Sequence, residues 1–92
     1  MLGMDADFIK SLRVVLQTAR NPACVAAMLL ENNIITDADI REAGIRTDAR
    51  VMVYRLRKKL LRHGIELRCT YGDGYWMDSE DKTKLRALVE EL

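Results

Sequence analysis

The sequence predicts a mainly α fold with one small β-hairpin, in a single domain of 92 residues. Two observations predict it. Apolar residues recur at helical spacing in several separate stretches, while strand-like alternation is confined to Ile65–Thr70. That alternation runs straight into Gly72-Asp73-Gly74, a turn sequence with a permissive backbone. The composition, 49% apolar and 32% charged with a single Pro, is that of an ordinary globular domain. A chain this short can fold alone but holds only a modest core.

The first helix is expected over Asp5–Arg20, where Phe8, Ile9, Leu12, Val15, Leu16 and Ala19 form one apolar stripe. Asp5 and Asp7 suit its start and Arg20 its end, because the helix dipole favours anions first and cations last. Asn21-Pro22 interrupts it and opens a second helix, with Pro22 at the first helical position. From Pro22 to Glu31 the chain is apolar nearly all round, which marks a central, buried helix. Asn32-Asn33 ends it, and Ile34-Ile35 form a short extended segment. Thr36-Asp37-Ala38-Asp39 offers a capping box in which Asp replaces the usual Glu. The short helix that follows reaches Ala43, with Gly44 as its stop.

Ile45-Arg46 then turns the chain toward Thr47 or Asp48, either of which can cap the next helix. This longer helix spans about Asp48–His63 and ends at Gly64. Ala49, Val53, Leu56 and Leu60 lie within a narrow arc that faces the core. Thr47, Val51, Tyr54, Arg55, Lys58 and Arg62 lie opposite, with Arg50 and Arg57 on one flank and Met52 and Lys59 on the other. Ile65, Leu67 and Cys69 alternate with Glu66, Arg68 and Thr70, and Tyr75-Trp76-Met77 returns as the second strand. Asp78-Ser79-Glu80-Asp81 caps a last helix carrying Leu85, Leu88, Val89 and Leu92. A short helix, a Gly-containing turn and a longer helix make a helix-turn-helix. With the hairpin added, the expected fold is a winged helix-turn-helix with extra N- and C-terminal helices. Its parts are an N-terminal helix (5–20), a three-helix core (22–64), the wing (65–77) and a C-terminal helix (78–92).

Net charge is only +1, but its distribution is uneven. Nine basic residues (Arg41, Arg46, Arg50, Arg55, Arg57, Lys58, Lys59, Arg62 and Arg68) face only Glu42, Asp48 and Glu66 in the same segment. The remainder of the chain is correspondingly acidic. Such a gradient favours a polyanionic partner at one part of the surface. Enzyme chemistry finds no foothold: the one histidine, His63, sits at a helix end, and no serine or carboxylate pair has a catalytic context. Cys24 and Cys69 are read as small buried or half-buried residues, and without a CxxC or further ligands no metal site and no cofactor is expected. The apolar run Ala23–Leu30 is too short to cross a bilayer, and the first residues lack a signal-peptide layout, so a cytoplasmic protein with no membrane partner is expected.

The major groove of B-DNA admits one α-helix, provided cations meet phosphates on both sides and short or forked side chains meet base edges. Arg50, Arg57, Lys59 and Arg62 suit the phosphates. Arg55 and Lys58 suit a guanine edge, and Val51 a thymine methyl. Arg46 and Thr47 before the helix, Tyr54 within it, and Arg68 on the wing extend the expected DNA-binding set.

The pair of motifs Arg55-Leu56-Arg57-Lys58-Lys59-Leu60 and Thr70-Tyr71-Gly72-Asp73-Gly74-Tyr75, in that order, resembles the winged-helix output domain of OmpR/PhoB-type response regulators. The likeness covers about Asn21 to Met77, and its specific part is Arg50–Tyr75. It implies a recognition helix in the major groove, carrying Val51, Arg55, Arg57 and Lys58, and a wing with Cys69 and Tyr71 at the backbone or minor groove. This chain has Tyr71 and Trp76 where that family often has arginine, adds Asp73 at the turn, and has a helix where the family has an N-terminal sheet. It carries no receiver domain, so control by a partner or by abundance is expected. The full expectation is a sequence-specific regulator of transcription that binds double-stranded DNA. Pairing into a homodimer through a terminal helix would enlarge the DNA interface. The alternative is a winged helix that contacts RNA polymerase, a sigma factor or another regulator through the same basic face and an aromatic patch.

Overall fold

A computed structural model of the protein describes residues 6–70, 72 and 74–92. The elements run α1 (Ala6–Leu16), α2 (Arg20–Glu31), α3 (Asp37–Glu42), α4 (Ala49–Leu61), β1 (Arg68–Thr70), β2 (Gly74–Trp76) and α5 (Ser79–Glu90). The mainly helical class with one hairpin and flanking terminal helices is what the chain adopts. Its centre is the helix whose run from Pro22 to Leu30 is apolar: α1 and α4 both pack on α2. Ala23, Val25, Ala26, Ala27 and Leu29 are fully enclosed there, and the small alanines let the neighbouring helices approach closely.

The boundary between α1 and α2 differs from the expectation. α1 stops at Leu16 because Gln17 adopts a left-handed conformation, φ +52°. Thr18 N–H then reaches the Arg13 carbonyl (3.0 Å) and Gln17 N–H the Val14 carbonyl (3.3 Å), a Schellman closure with Gln in the place glycine usually takes. Arg20 therefore begins α2 instead of ending α1, and Ala19 is the N-cap, with no side-chain cap bond. Pro22 is the third helical residue, not the first. It is still tolerated, since the first four N–H groups of a helix have no partner within it.

Two later helix ends repeat the closure with glycine. Gly44 (φ +90°) and Gly64 (φ +72°) donate to the carbonyls of Arg41 and Leu61, while Ile45 and Ile65 donate to Ile40 and Leu60. Both isoleucines are buried, so each turn is fixed by packing as well as by hydrogen bonds. α4 is correspondingly shorter than expected, ending at Leu61 before the turn through His63. The Thr36 capping box forms with its unusual partner: Asp39 N–H donates to Thr36 Oγ1 (3.1 Å) and Thr36 N–H to Asp39 Oδ2 (2.9 Å). Asp48, not Thr47, caps α4, its side chain accepting from Arg50 N–H at 2.9 Å.

β1 and β2 pair antiparallel with Arg68 opposite Trp76, Cys69 opposite Tyr75 and Thr70 opposite Gly74. Ile35 adds a one-residue third lane, exchanging two backbone hydrogen bonds with Tyr75 (2.9 and 2.8 Å). Gly74 permits this approach, for a Cβ there would lie 2.3 Å from the Ile35 carbonyl oxygen. The alternation of 65–70 is partly borne out. Ile65 and Leu67 are buried, but the strand starts only at Arg68. Cys69 is exposed, against the expectation, because the hairpin extends beyond the edge of the core at Cys69 and Thr70; Cys24 is buried as expected.

α5 closes the other side. Leu85 is fully buried, Leu88 and Val89 pack partly against the core, and Leu92 is exposed. Asp78 caps α5, and the buried Asp81 accepts Glu66 N–H (3.3 Å), tying α5 to the segment before β1. Its cations serve as caps for other helices: Arg86 donates to the Leu30 carbonyl (2.9 Å), Lys82 to Asn32 (3.0 Å) and Lys84 to Gly64 (3.3 Å). Carbonyls at helix C-termini lack intrahelical donors, and a cation there also complements the dipole. No helix of the described residues is long and apolar enough to cross a membrane.

Candidate nucleic-acid interface

α4 has two distinct faces. Ala49, Met52, Val53, Leu56 and Leu60 are buried, so Met52 joins the four expected core positions. Arg50, Val51, Tyr54, Arg55, Lys58, Leu61 and Arg62 are exposed. With its inner face held in the core and both ends closed by hydrogen bonds, the helix presents this outer row on a rigid support. Arg46 and Thr47 are exposed in the turn that leads into it. Arg41, Arg46 and Arg50 line one depression at the junction of α3 and α4. Arg50 also borders a second depression, whose other walls are the start of α3 and the hairpin. Arg41 was outside the expected set. The signal for it was its place in the last turn of α3, just before the turn that carries Arg46.

The expected cations fall into two groups. Arg55 and Arg62 have no ion pair among the described residues, and Arg50 has only a loose one, 3.9 Å from the exposed Asp48. Lys58 lies over the Tyr54 ring, 4.6 Å from its centroid, which orders both side chains on the outer face. The others are engaged by the protein itself. Arg57 Nε donates to the Leu67 carbonyl (3.2 Å) and Lys59 Nζ to the Gln17 carbonyl (2.9 Å). Arg68 sits between Glu66 (3.2 Å) and Asp78 (3.6 Å) and stacks over Trp76, so its charge is locally compensated. Tyr71, the remaining wing position of the expected set, lies outside the described residues, as does Asp73.

The hairpin is docked on α3 by Tyr75, whose ring is buried and whose hydroxyl donates to Asp37 Oδ1 at 2.6 Å. Burial first, then the hydrogen bond and charge of Asp37, push the Tyr75 hydroxyl up to about 12. Trp76 is half-buried and donates its indole N–H to Thr70 Oγ1 (2.9 Å), a cross-strand bond that stiffens the hairpin. Of the described aromatic residues Tyr54, Tyr75 and Trp76, Tyr54 is the one that is openly exposed.

The apolar stripe of α1, namely Ile9, Leu12 and Leu16, is covered by the protein's own core, as is Leu85 of α5. Among the described residues no three His, Cys, Asp or Glu side chains cluster as metal ligands would. Comparison with family models, with curated proteins and with solved structures returned no match.

Proposed function

We propose that this protein is a winged helix-turn-helix regulator of transcription that binds double-stranded DNA with α4 in the major groove. One observation carries the reading: the exposed row Arg50, Val51, Tyr54, Arg55, Lys58 and Arg62 stands on a helix whose other face is locked in the core. A cationic rod of this kind, next to a short hairpin, has the dimensions and charge for that groove. Arg55 and Lys58, near the middle of the row, suit base edges, while Arg46, Arg50 and Arg62 suit phosphates. Thr47 and Val51 offer a hydroxyl and a methyl near the helix start. Engagement of Arg57 and Lys59 with backbone carbonyls leaves them as secondary phosphate contacts. A cytoplasmic location and a second copy on DNA belong to the same proposal.

Anisotropy titrations with labelled random duplex test it. Binding should fall steeply with salt, and Arg55→Ala with Lys58→Ala should weaken it while leaving the thermal transition in place. Salt-insensitive binding, or unchanged affinity in the double variant, would refute the reading. Selection from a random duplex pool would then report the site, and a palindrome would report pairing of subunits. A second reading rests on Tyr54 and Leu61, exposed by 57% and 56% on the same face. Apolar and aromatic groups among arginines also suit a protein surface, such as a component of the transcription machinery. Tyr54→Ala with Leu61→Ala separates the two, since loss of protein capture with duplex affinity retained favours the second.

A further inference from the structure

The two flanks of α4 differ in how their cations are used. Toward the hairpin, Arg57 is bonded to the Leu67 carbonyl and Arg68 is enclosed by Glu66 and Asp78, which leaves Arg50, loosely paired with Asp48, as the exposed cation of that flank. On the opposite flank Arg55, Lys59 and Arg62 follow one another at spacings of four and three, one helical row. Arg55 and Arg62 are exposed, and the bond from Lys59 to the Gln17 carbonyl brings the end of α1 alongside this row. The outward face of α1 carries Lys10, Arg13 and Val14 at helical spacing, followed by Gln17 just past its end, all exposed.

Lys10 and Arg13 form a ridge between two shallow depressions. One is shared with Arg20, the other with Gln17 and Thr18, and among the described residues no acidic side chain lines either. None of Lys10, Arg13 and Arg20 has an ion pair among the described residues. Arg20 occupies the first position of α2, where the helix dipole disfavours a cation. Lys10, Arg13 and Arg20 thus border one depression with no ion pair among the described residues, and an anion seated there lowers their mutual repulsion.

Accepting the DNA-binding reading of α4, we infer that the outer face of α1 is a second phosphate-binding surface. The duplex backbone passes from Lys59 and Arg62 onto Lys10, Arg13 and Arg20. The flanking contact is made on this side, and the hairpin, with its arginine already compensated, contributes little charge to it.

The experiment measures duplex affinity against salt for the full chain and for a Lys10→Ala, Arg13→Ala double variant. Each phosphate contact contributes about 0.9 to the slope of log affinity against log salt, so losing two makes the slope shallower by about 1.8. Between about 50 and about 200 mM salt, the wild-type fall in affinity should then exceed that of the variant by roughly twelvefold. Lys10→Arg with Arg13→Lys keeps the wild-type slope, because charge and not shape is what counts. Circular dichroism of both variants shows that the fold is retained. A double alanine variant with the wild-type slope overturns the inference. The reading of α4 then still stands if Arg55→Ala with Arg62→Ala weakens binding, and a wild-type chain that binds no duplex overturns both.

Discussion

Gly74→Ala tests how the hairpin is held beside α3 and α4. Gly74 has φ +127°, and an added Cβ would lie 2.3 Å from the Ile35 carbonyl oxygen and 3.1 Å from its carbon. Those are backbone atoms, which cannot swing aside as the end of a side chain could. The bridge must open, and two hydrogen bonds of 2.9 and 2.8 Å go with it. At about 1 kcal/mol each they account for about 2 kcal/mol. Distortion at a positive φ adds about 1 kcal/mol, and the stiffer unfolded chain of the variant offsets about 0.7 kcal/mol. The net loss is about 2–3 kcal/mol, a fall in Tm of roughly 10–20 °C for a domain of this size. Gly64→Ala is the comparison. Its φ is +72°, but nothing lies within 4 Å of the added Cβ, so only the conformational term remains. Urea unfolding followed by circular dichroism gives both values. Equal destabilisation of the two variants would refute the claim that close approach, and not left-handed backbone alone, demands glycine at 74.

Thr36→Ala removes the Oγ1 that accepts Asp39 N–H and should cost about 1 kcal/mol, read from the urea midpoint. Tyr75 titrates near 12 in the folded chain against 10.0 ordinarily, so its contribution to stability is complete below pH 10 and lost as pH rises toward 12. The stability of a Tyr75→Phe variant should therefore fall less over that interval than that of the wild type, and parallel curves would contradict the assignment. Leu85→Ala should cost about 2–5 kcal/mol, whereas Leu92→Ala, 63% exposed, should leave the thermal transition unmoved.

Much of the fold was legible because local chemistry and packing agree. α2 is apolar nearly all round from Pro22 onward and is the centre. The Thr36 capping box and the glycines at 44 and 64 sit where the helices start and stop. The α1–α2 boundary was not legible, because the residue that turns the chain is Gln17, whose type carries no preference for a left-handed backbone. Alternation likewise identified the inward positions 65 and 67 correctly but could not show where the core ends. Period 2 is a property of the strand, whereas burial of Cys69 depends on whether anything lies above it.

The candidate site was legible only as a class of residue. Helical spacing sorts the cations of α4 by direction, but only the fold shows which of them its own carbonyls engage. Arg57 and Lys59, pointing sideways from α4, meet carbonyls of their own chain, whereas Arg50 at the helix start does not. Those pointing straight out have no such acceptor. The division has a measurable consequence. Lys59→Ala should lower both Tm and duplex affinity, since its ammonium donates to Gln17 at the end of α1. Arg55→Ala should lower affinity alone, since it bonds to nothing within the described protein. If the two variants lose stability equally, direction around the helix is not what separates structural from ligand-facing charge, and the assignment of α4's outer row loses its physical basis.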